Sequence, residues 1–525
     1  SVFAQGLHGY SGRCSRRRAI ENRERIAVFG DYDADGITAT ALLLNFFSEL
    51  GIPASSYIPN RLDEGYSLNS SALEKLAGRG VRLIITVDCG TSNRKEIKLA
   101  GDLGMKVVVT DHHQIPEDFD PMCPVINPNR PDSLFPFKGL AGVGVAFFLA
   151  ICIRSTLRDR NRFKESPEPD LKQYLDLVAL GTVADMVPLT GQNRVLVRSG
   201  LEVMRDSKWP GIKAMKEISG VNEYNISSHD LAFKLAPRLN APGRMGDIIT
   251  GLTALTTDKQ SIALEAARQL NSMNIERKVI EGNIMEEIEE SMIPGFDLEK
   301  KRTILLAKKG WHKGVLGIVA SRLLDRYHRP ALILSIRDGM ATGSGRSIDG
   351  FNLHHSMSRL GHLFEKFGGH YHAAGCTLKA SNIDELAEGL EEMAREKLSE
   401  EDLVPAVEID AEVTLPELTM EAVSRLISLG PFGSGNPEPL FYSGGLKVVK
   451  SWLVGERHLK MRVRQGESVI EAIGFGLSDI HPLEGKTIDM VFTPEIDTWN
   501  GSKKVQLRID DLDLTGESSK LVRME

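Results

Sequence analysis

Three aspartates, Asp31, Asp33 and Asp35, stand at alternate positions in the segment DYDADG. Carboxylates that share one turn repel one another, so folding energy alone does not favour keeping them together. A bound divalent cation would relieve this repulsion, because hard cations take carboxylate oxygens as ligands. The spacing therefore indicates a metal site.

Two simpler interpretations compete with this one. One of the aspartates could cap the following helix by accepting a backbone hydrogen bond, but a single cap does not account for three carboxylates. The pattern D-x-D-x-D-G also begins a calcium-binding EF-hand loop, which needs a bidentate glutamate at its twelfth position. That position holds Leu42, so the EF-hand interpretation fails.

The surrounding elements place these residues at the edge of a sheet. The apolar run at 26–29 predicts a buried strand that ends just before the aspartates, and Gly36 begins a helix. Two more strand and helix units follow, whose strands end at Asp88 and Asp111. Alternating strands and helices form parallel sheets, and their sites lie beyond the carboxyl ends of the strands. We therefore expect these carboxylates to meet.

Two histidines and a distant aspartate extend the set. His112 and His113 directly follow Asp111, and Asp185 follows a helical stretch, where it could instead be a turn or cap residue. Carboxylates with an imidazole suit manganese, and magnesium is a plausible substitute. Two such ions about 3.5–4 Å apart could activate a water for attack on phosphorus. The residues expected to hold them are Asp33, Asp35, Asp88, His112 and Asp185.

The 525 residues predict about three domains. A helical pattern at 257–292 would span roughly 50 Å and would join two α/β domains, at 21–256 and 293–402. From 403 to 515 the pattern changes to five short alternating strands, which is typical of a small β-barrel. We predict a basic tail at 1–20 and a short tail at 516–525. The expected fold is thus a parallel-sheet α/β domain, a long helix, a smaller α/β domain and a barrel.

Glycine-rich stretches in the second domain could bind an anion. GSGRS at 343–347 and GGHYHAAG at 368–375 would let backbone N–H groups approach a phosphate, and Arg346 and His370 could add charge-assisted bonds. Glycines that serve only tight turns are an equally good interpretation of either motif alone.

Two further regions could contact nucleic acid. In the loop PNRLDEGYSL, Arg61 and Tyr66 could meet a phosphate and a base, although such loop residues are usually only surface. The barrel region carries Trp452 and Trp499 among many lysines and arginines, which suits a single strand whose bases stack on aromatic rings. A solvated basic face is the alternative.

Composition excludes several classes of protein. The net charge of −7, with 42% hydrophobic and 26% charged residues, describes an ordinary globular chain. The five cysteines are scattered and form no C-x-x-C pair, which argues against a disulfide framework and fits a reducing cytoplasm. The most apolar stretch, 139–153, is too short to span a bilayer, and we expect neither membrane attachment nor secretion.

The segments DYDADG, TVDCGTS, DHH and VADMVPL resemble the motifs of the DHH phosphoesterase superfamily. The further stretches APRLNAPGRMGD, WHKGVLGIVASRL, GSGRS, GGHYHAAG and LGPFGSGNPEPLF make the chain resemble, within it, the RecJ family of single-strand-specific DNA exonucleases. The resemblance covers about residues 20–515. It implies manganese-dependent 5′-to-3′ hydrolysis of single-stranded DNA to mononucleotides, in recombination and repair. It also implies an OB-fold for the barrel.

The resemblance also implies roles for individual residues. Asp33 and Asp88 would hold one metal ion, and Asp35, Asp88, His112 and Asp185 the other. Among residues at the reaction centre, Asp31 would sit at the edge of the first ion, Asp111 would orient the histidines, and His113 would face the scissile phosphate. The residues that would grip the DNA are Arg61, Tyr66, Arg238, Asn240, Arg244, Ser344, Arg346, Gly368, Gly369 and His370.

Partners and alternatives follow from the same resemblance. It implies single-stranded DNA as the partner, a single-strand-binding protein and a helicase as possible protein partners, and a monomer with no membrane association. One alternative is a DHH phosphodiesterase for short oligonucleotides or cyclic dinucleotides, whose relatives usually lack the barrel. Another is an inactive scaffold that binds DNA or replication proteins, but such a protein would be expected to have lost several of the carboxylates.

Overall fold

The fold is taken from a computed structural model, which describes residues 24–61, 64–65, 67–222, 225–298, 300–498 and 502–514. The predicted tails at 1–20 and 516–525, as well as Tyr66 and Trp499, lie outside the described residues. The chain divides into two compact units, with the division between Val404 and Pro405. Each unit has its own hydrophobic core.

The first unit begins with a five-stranded parallel sheet in the order β2-β1-β3-β4-β5. Its strands are β1 Ile26–Gly30, β2 Ala54–Tyr57, β3 Leu83–Val87, β4 Lys106–Thr110 and β5 Val125–Ile126. The parallel sheet predicted from the three apolar runs is confirmed. The two edge strands, β2 and β5, were not predicted, because one is polar and four residues long and the other has two residues.

Helices cover both faces of this sheet. They are α1 Ala34–Glu49, α2 Ser70–Gly78, α3 Arg94–Asp102, α4 Gly142–Asp159, α5 Leu175–Ala184, α6 Gly191–Arg205, α7 Pro210–Ser219, α8 Ser228–Asp230, α9 Ala236–Met245 and α10 Thr250–Thr256. A π-helical turn, Leu231–Leu235, joins α8 to α9. β1, β3 and β4 are neighbours, so Asp31, Asp88 and Asp111 all follow the carboxyl ends of adjacent strands.

The long connecting helix is α11, Gln260–Glu287. Its 28 residues span about 42 Å, less than the sequence pattern suggested, because the regular helix gives way to a π-helical turn at Ile288–Met292 and a 3-10 turn at Ile293–Gly295. Pro294 lies in that last turn, where it cannot donate a helical hydrogen bond. Apolar residues from the end of α11 enter the core of the next sheet.

The second sheet has the order β6-β7-β8-β10-β9 and only its β6–β7 pair is parallel. Its elements are β6 Ile304–Lys309, α12 Leu316–Tyr327, β7 Ala331–Arg337, β8 Met340–Arg346, α13 Leu353–Arg359, β9 Phe364–Gly369, β10 Ala373–Lys379 and α14 Ile383–Lys397.

The expectation that the GSGRS backbone binds an anion is wrong. Residues 343–346 belong to β8, a central strand that pairs with β7 on one side and β10 on the other. Gly343 is there because a Cβ would lie 2.2 Å from the carbonyl oxygen of Ile333. Any anion contact from this segment must therefore come from its side chains.

The second unit is a β-barrel, as the sequence predicted. Its strands run in the order β11-β12-β13-β14-β16-β15, and β12 also pairs with β15, which closes the barrel. Their bounds are β11 Ala411–Glu412, β12 Phe441–Val454, β13 His458–Gln465, β14 Ser468–Gly474, β15 Thr487–Asp497 and β16 Lys504–Asp513, and α15 Met420–Ser428 precedes β12. Among the described residues of the whole chain, no helix is both long and apolar enough to cross a membrane.

The helices α5 and α6 are in tight contact, and Asp185 directly follows α5. Substitutions at this contact should therefore affect the stability of the first unit. A Cβ on Gly200 would lie 2.1 Å from the carbonyl oxygen of Leu175, so Gly200→Ala should destabilise the first unit by about 1–3 kcal/mol. Gly282→Ala is the matched control in α11, where a Cβ meets nothing within 4 Å, and it should stabilise by about 0.5–1 kcal/mol. Thermal unfolding of both variants measures this. Equal effects of the two substitutions would contradict the packing described.

Candidate functional site

The first aspartate cluster lies on a tight turn between β1 and α1. Asp33 is the N-cap of α1, and its Oδ1 accepts a hydrogen bond from the Gly36 amide at 3.0 Å. A Cβ on Gly36 would lie 2.6 Å from the backbone N and O of Asp31, so only glycine fits this close approach. The capping interpretation is thus correct for Asp33, and its second carboxylate oxygen remains available to a ligand.

Asp35 is held by a helix that lies far away in the sequence. Its two carboxylate oxygens accept hydrogen bonds from the amides of Gly142, at 2.6 Å, and Val143, at 2.8 Å. These amides form the N-terminus of α4, where the helix dipole favours a negative charge. Sequence reasoning considered the stretch 139–153 too short to span a bilayer, and missed this role.

Asp88 occupies the centre of the site. It follows β3 with a φ of 61°, a left-handed conformation that is uncommon for a residue with a side chain. Its amide donates to the Thr110 carbonyl at 3.0 Å, and its side chain is buried. A Cβ on Gly142 would lie 2.6 Å from the Asp88 Cβ, so the start of α4 packs directly against it.

Three carboxylates converge on one imidazole nitrogen. His112 Nε2 lies 3.0 Å from Asp88 Oδ1, 3.5 Å from Asp185 Oδ2 and 3.9 Å from Asp35 Oδ2. On the other side of Asp88, single ligand atoms of Asp31, Asp33 and Asp88 lie within 4.8 Å of one another. The structure therefore brings together all five residues that were predicted to hold metal, with Asp88 common to two groups.

The electrostatics of this cluster favour a bound cation. Burial, followed by the neighbouring carboxylates, raises the pKa of Asp35 to about 7 and that of Asp185 to about 9, and raises the pKa of Asp88 well above its usual range. Burial lowers the pKa of His112 to about 4, so the imidazole is neutral at pH 7. His112 Nε2 and Asp31 Oδ1 are buried atoms without a hydrogen-bond partner among the described residues. A neutral imidazole together with several mutually repelling carboxylates is a suitable set of ligands for a divalent transition metal ion.

Asp111 organises the two histidines. Its Oδ1 lies 2.7 Å from His113 Nδ1 and accepts from the His112 amide at 2.8 Å, and its Oδ2 accepts from the Thr91 amide at 2.9 Å. Despite the opposing effect of burial, these bonds and the charge of His113 lower the pKa of Asp111. Burial likewise opposes protonation of His113, but the bond to Asp111 raises its pKa.

A cluster of arginines lies near the carboxylates. Arg244 lies in the last turn of α9, and burial, followed by the neighbouring cations Arg61, Arg277 and Arg346, lowers its pKa to about 10. No ion pair between described residues includes Arg61, Arg244 or Arg346. The Arg61 guanidinium lies 5.3 Å from the centre of the Tyr32 ring. Cations that lack carboxylate partners form a natural site for phosphate.

Two predicted DNA-binding residues have clear contacts within the protein. The side-chain Oδ1 of Asn240 accepts a hydrogen bond from the Ala34 amide at 2.8 Å and so supports the aspartate turn. Arg238 Nε donates to Asn271 at 3.0 Å, and its Nη1 donates to the Lys234 carbonyl at 2.5 Å. Sequence reasoning missed these positioning contacts, which join residues at least 33 positions apart or lie within one helix. Their predicted roles on DNA stay predictions.

The remaining predicted residues lie in the second sheet. Ser344 Oγ accepts from Arg346 Nη1 at 3.3 Å, and both side chains belong to β8. Arg346 is opposite Ala373 in β10, and the exposed residues Gly368, Gly369 and His370 lie at the end of β9, on the other side of β10. Tyr66 is outside the described residues.

Several of the basic residues predicted to line the barrel form ion pairs with glutamates. Lys460, Arg462 and Lys504 surround Glu471 at 3.3, 3.1 and 2.7 Å, and together they lower its pKa to about 2. Arg508 likewise pairs with Glu438. Lys447 and Arg464 face each other across β12 and β13, and Lys450 lies 6.0 Å from the Trp452 ring. The predicted basic face is thus partly neutralised by acidic residues of the same unit.

Family models match three parts of the chain. The DHH family N-terminal domain matches residues 25–182, the DHHA1 domain 300–396 and the RecJ OB domain 409–511. The single-stranded-DNA-specific exonuclease RecJ of Salmonella typhimurium is 39% identical over 513 residues, which cover 94% of this chain and 88% of that protein. The chain belongs to the RecJ family. The domain boundaries chosen from the sequence stay predictions.

Further RecJ relatives agree with this assignment. RecJ of Bacillus subtilis is 38% identical over 94% of this chain, which spans 62% of that protein's length. The crystal structure of Thermus thermophilus RecJ in complex with Mn²⁺ superposes with a TM-score of 0.82 at 29% identity, and covers 97% of this chain and 71% of that one. The Mg²⁺ complex of the same protein gives a TM-score of 0.75. These comparisons confirm the predicted three-part α/β and barrel architecture.

The raised carboxyl pKa values predict how metal binding depends on pH. Without metal, Asp35 and Asp185 hold protons in the folded state that the unfolded chain releases near pH 4, so stability falls as the pH rises from about 4 to 9. A cation must displace those protons, so Mn²⁺ should raise the melting temperature more at pH 8 than at pH 6. Differential scanning calorimetry with and without Mn²⁺ tests this.

Asp185→Asn supplies the control for this experiment. It should raise the melting temperature of the metal-free protein at pH 8, because the folded wild type must keep a proton on Asp185 that the unfolded chain releases, and it should reduce the shift caused by Mn²⁺. A Mn²⁺ shift that is the same at both pH values, or larger at pH 6, would contradict the assignment.

Proposed function

We propose that this chain is a metal-dependent exonuclease that hydrolyses the phosphodiester bonds of single-stranded DNA. The observation that carries the proposal is the convergence of Asp35, Asp88 and Asp185 on the neutral imidazole of His112, within a chain of the RecJ family. The relatives named above are single-stranded-DNA-specific exonucleases. The alternative of a short-oligonucleotide phosphodiesterase is disfavoured by the RecJ-type OB domain at 409–511.

The residues that would hold metal form two groups that share Asp88. Asp33 would join Asp88 in one group, and Asp31 is close enough to contribute there as well. Asp35, His112 and Asp185 would join Asp88 in the other. Bound Mn²⁺ or Mg²⁺ supplies Lewis acidity toward a phosphoryl oxygen and lowers the pKa of a nearby water. The Mn²⁺ and Mg²⁺ complexes of the Thermus relative support this choice of metals.

His113 would act on the leaving group. Asp111 holds its Nδ1 and favours the protonated ring. A protonated His113 can stabilise negative charge on the phosphate and give a proton from Nε2 to the departing 3′ oxygen. Asp111 acts through the histidine and is a positioning residue.

The arginine cluster would bind the strand. Arg61 and Arg244 come from the first α/β domain and Arg346 from the second, so the strand would lie where the two domains face each other. Cations that contact phosphates read the backbone and not the base, which suits cleavage without sequence preference. The barrel would add backbone contacts through residues such as Lys447 and Arg464.

The family resemblance also supports proposals about the polarity, products and partners of the reaction. By kinship with the family we propose 5′-to-3′ polarity, release of mononucleotides, a role in recombination and repair, a monomeric state, and cooperation with a single-strand-binding protein and a helicase. A strand labelled at the 5′ or the 3′ end, incubated with Mn²⁺ and resolved over time, tests polarity and product length. Labelled mononucleotide should appear at once from the 5′ label and last from the 3′ label.

Asp88→Asn tests the central residue. Because Asp88 is shared by both ligand groups, this variant should lose at least about 10³-fold in turnover of single-stranded DNA with Mn²⁺ while it keeps its circular dichroism spectrum. Asp102→Asn is the matched control, since Asp102 is an exposed residue of α3 that forms an ion pair with Lys98 on the same helix. Turnover by Asp88→Asn near the wild-type rate would refute the assignment.

A further inference from the structure

The connecting helix carries a buried polar row that the reaction chemistry does not use. Asn274, Arg277 and Glu281 follow one another on one face of α11, and their exposed fractions are 2%, 8% and 0%. Arg277 Nη1 donates to Glu281 Oε2 at 2.5 Å, and its Nη2 donates to Asn274 Oδ1 at 3.0 Å. A buried ion pair costs desolvation energy and adds little net stability, so stability alone does not account for this row.

Glu281 also reaches into the second α/β domain. Its Oε1 lies 2.5 Å from Nε of Arg322, which belongs to α12. A single buried carboxylate thus lies between two arginines, one on the connecting helix and one on the neighbouring domain. Loss of this charge would leave Arg277 buried without its counter-ion.

The start of α12 lies against two members of the arginine cluster. Just before α12, the Gly314 carbonyl accepts a bond from Arg244 Nη1 at 3.1 Å, and a Cβ on Gly314 would lie 2.3 Å from the Arg244 carbonyl oxygen. One turn later, a Cβ on Gly317 would lie 3.1 Å from Ser344 Oγ and 3.3 Å from Arg346 Nη2. The turn that leads into α12 therefore contacts the arginine of the first domain, and the first turn of α12 contacts the arginine of the second.

We propose that Glu281 is a positioning residue for substrate binding: by joining Arg277 to Arg322 it fixes α12, and through α12 it sets the spacing between Arg244 and Arg346 across which the DNA phosphate is held. This inference rests on the proposed function and names the part of the protein that sets the affinity for the strand. Glu281 lies outside the metal ligands, so it acts on strand binding and leaves the chemical step unchanged.

Steady-state kinetics on a single-stranded oligonucleotide with Mn²⁺ test the inference. Glu281→Gln should raise KM about tenfold and change kcat less than about twofold, because it removes the charge but keeps the volume. Arg322→Gln, at an exposed position, should raise KM about threefold. Arg326→Gln is the matched control: Arg326 also lies on α12, is similarly exposed and pairs with Glu289 in the π-helical turn after α11, whereas Arg322 pairs with Glu281. It should leave KM within twofold of wild type.

A double-mutant cycle separates positioning from general destabilisation. If Glu281 acts through Arg346, then Glu281→Gln should raise KM much less in an Arg346→Gln background than in the wild type. Additive effects, a fall in kcat at unchanged KM, or equal effects of Arg322→Gln and Arg326→Gln would overturn the inference. Should Glu281→Gln fail to fold, the two surface variants decide. A wild-type protein that hydrolyses no DNA would overturn the proposed function, and the inference with it.

Discussion

Mutual repulsion among buried carboxylates is the constraint on which this structure depends. Asp31, Asp35, Asp88 and Asp111 are each almost fully buried at the carboxyl edge of one sheet. The fold offsets part of that charge with helix N-termini, since Asp33 caps α1 and the amides of α4 hold Asp35. Asp111 is neutralised differently, by its bond to His113. Burial, followed by repulsion from the carboxylates of Asp35, Asp33, Asp185 and Asp31, raises the pKa of Asp88, and a divalent cation is the natural complement of this group.

Opposite charges lie side by side in this unit. The carboxylates gather at the end of the first sheet, while the arginines come from a loop, from the end of α9 and from β8. A phosphodiester can contact both at once, since its oxygens are ligands for cations and acceptors for guanidinium groups. The two α/β domains must then keep a fixed spacing, and α11 and α12 are the elements that join them.

Asp31, Asp88 and Asp111 could be predicted because each directly follows a short apolar strand, whereas Asp185 follows a helix and was assigned from its family motif. The hydrogen bonds that hold these residues in place could not be predicted. The bonds from Gly142 and Val143 to Asp35 and from Ala34 to Asn240 join residues more than 100 positions apart, and no local pattern signals them. The glycines of GSGRS were interpreted as a loop that binds an anion, but the structure requires them for close packing between strands. A glycine-rich sequence alone does not distinguish these two uses. No sequence pattern indicates that Glu281 and Arg277 are buried, since burial of a helix face depends on the domain that packs against it.

Anomalous diffraction from crystals soaked in Mn²⁺ tests the central claim most directly, because it locates the metal ions without reference to activity. We expect two anomalous peaks about 3.5–4 Å apart, one on each side of the Asp88 carboxylate, with His112 Nε2 bound to only one of them. Peaks located elsewhere, or an empty site between these carboxylates at saturating Mn²⁺, would contradict it.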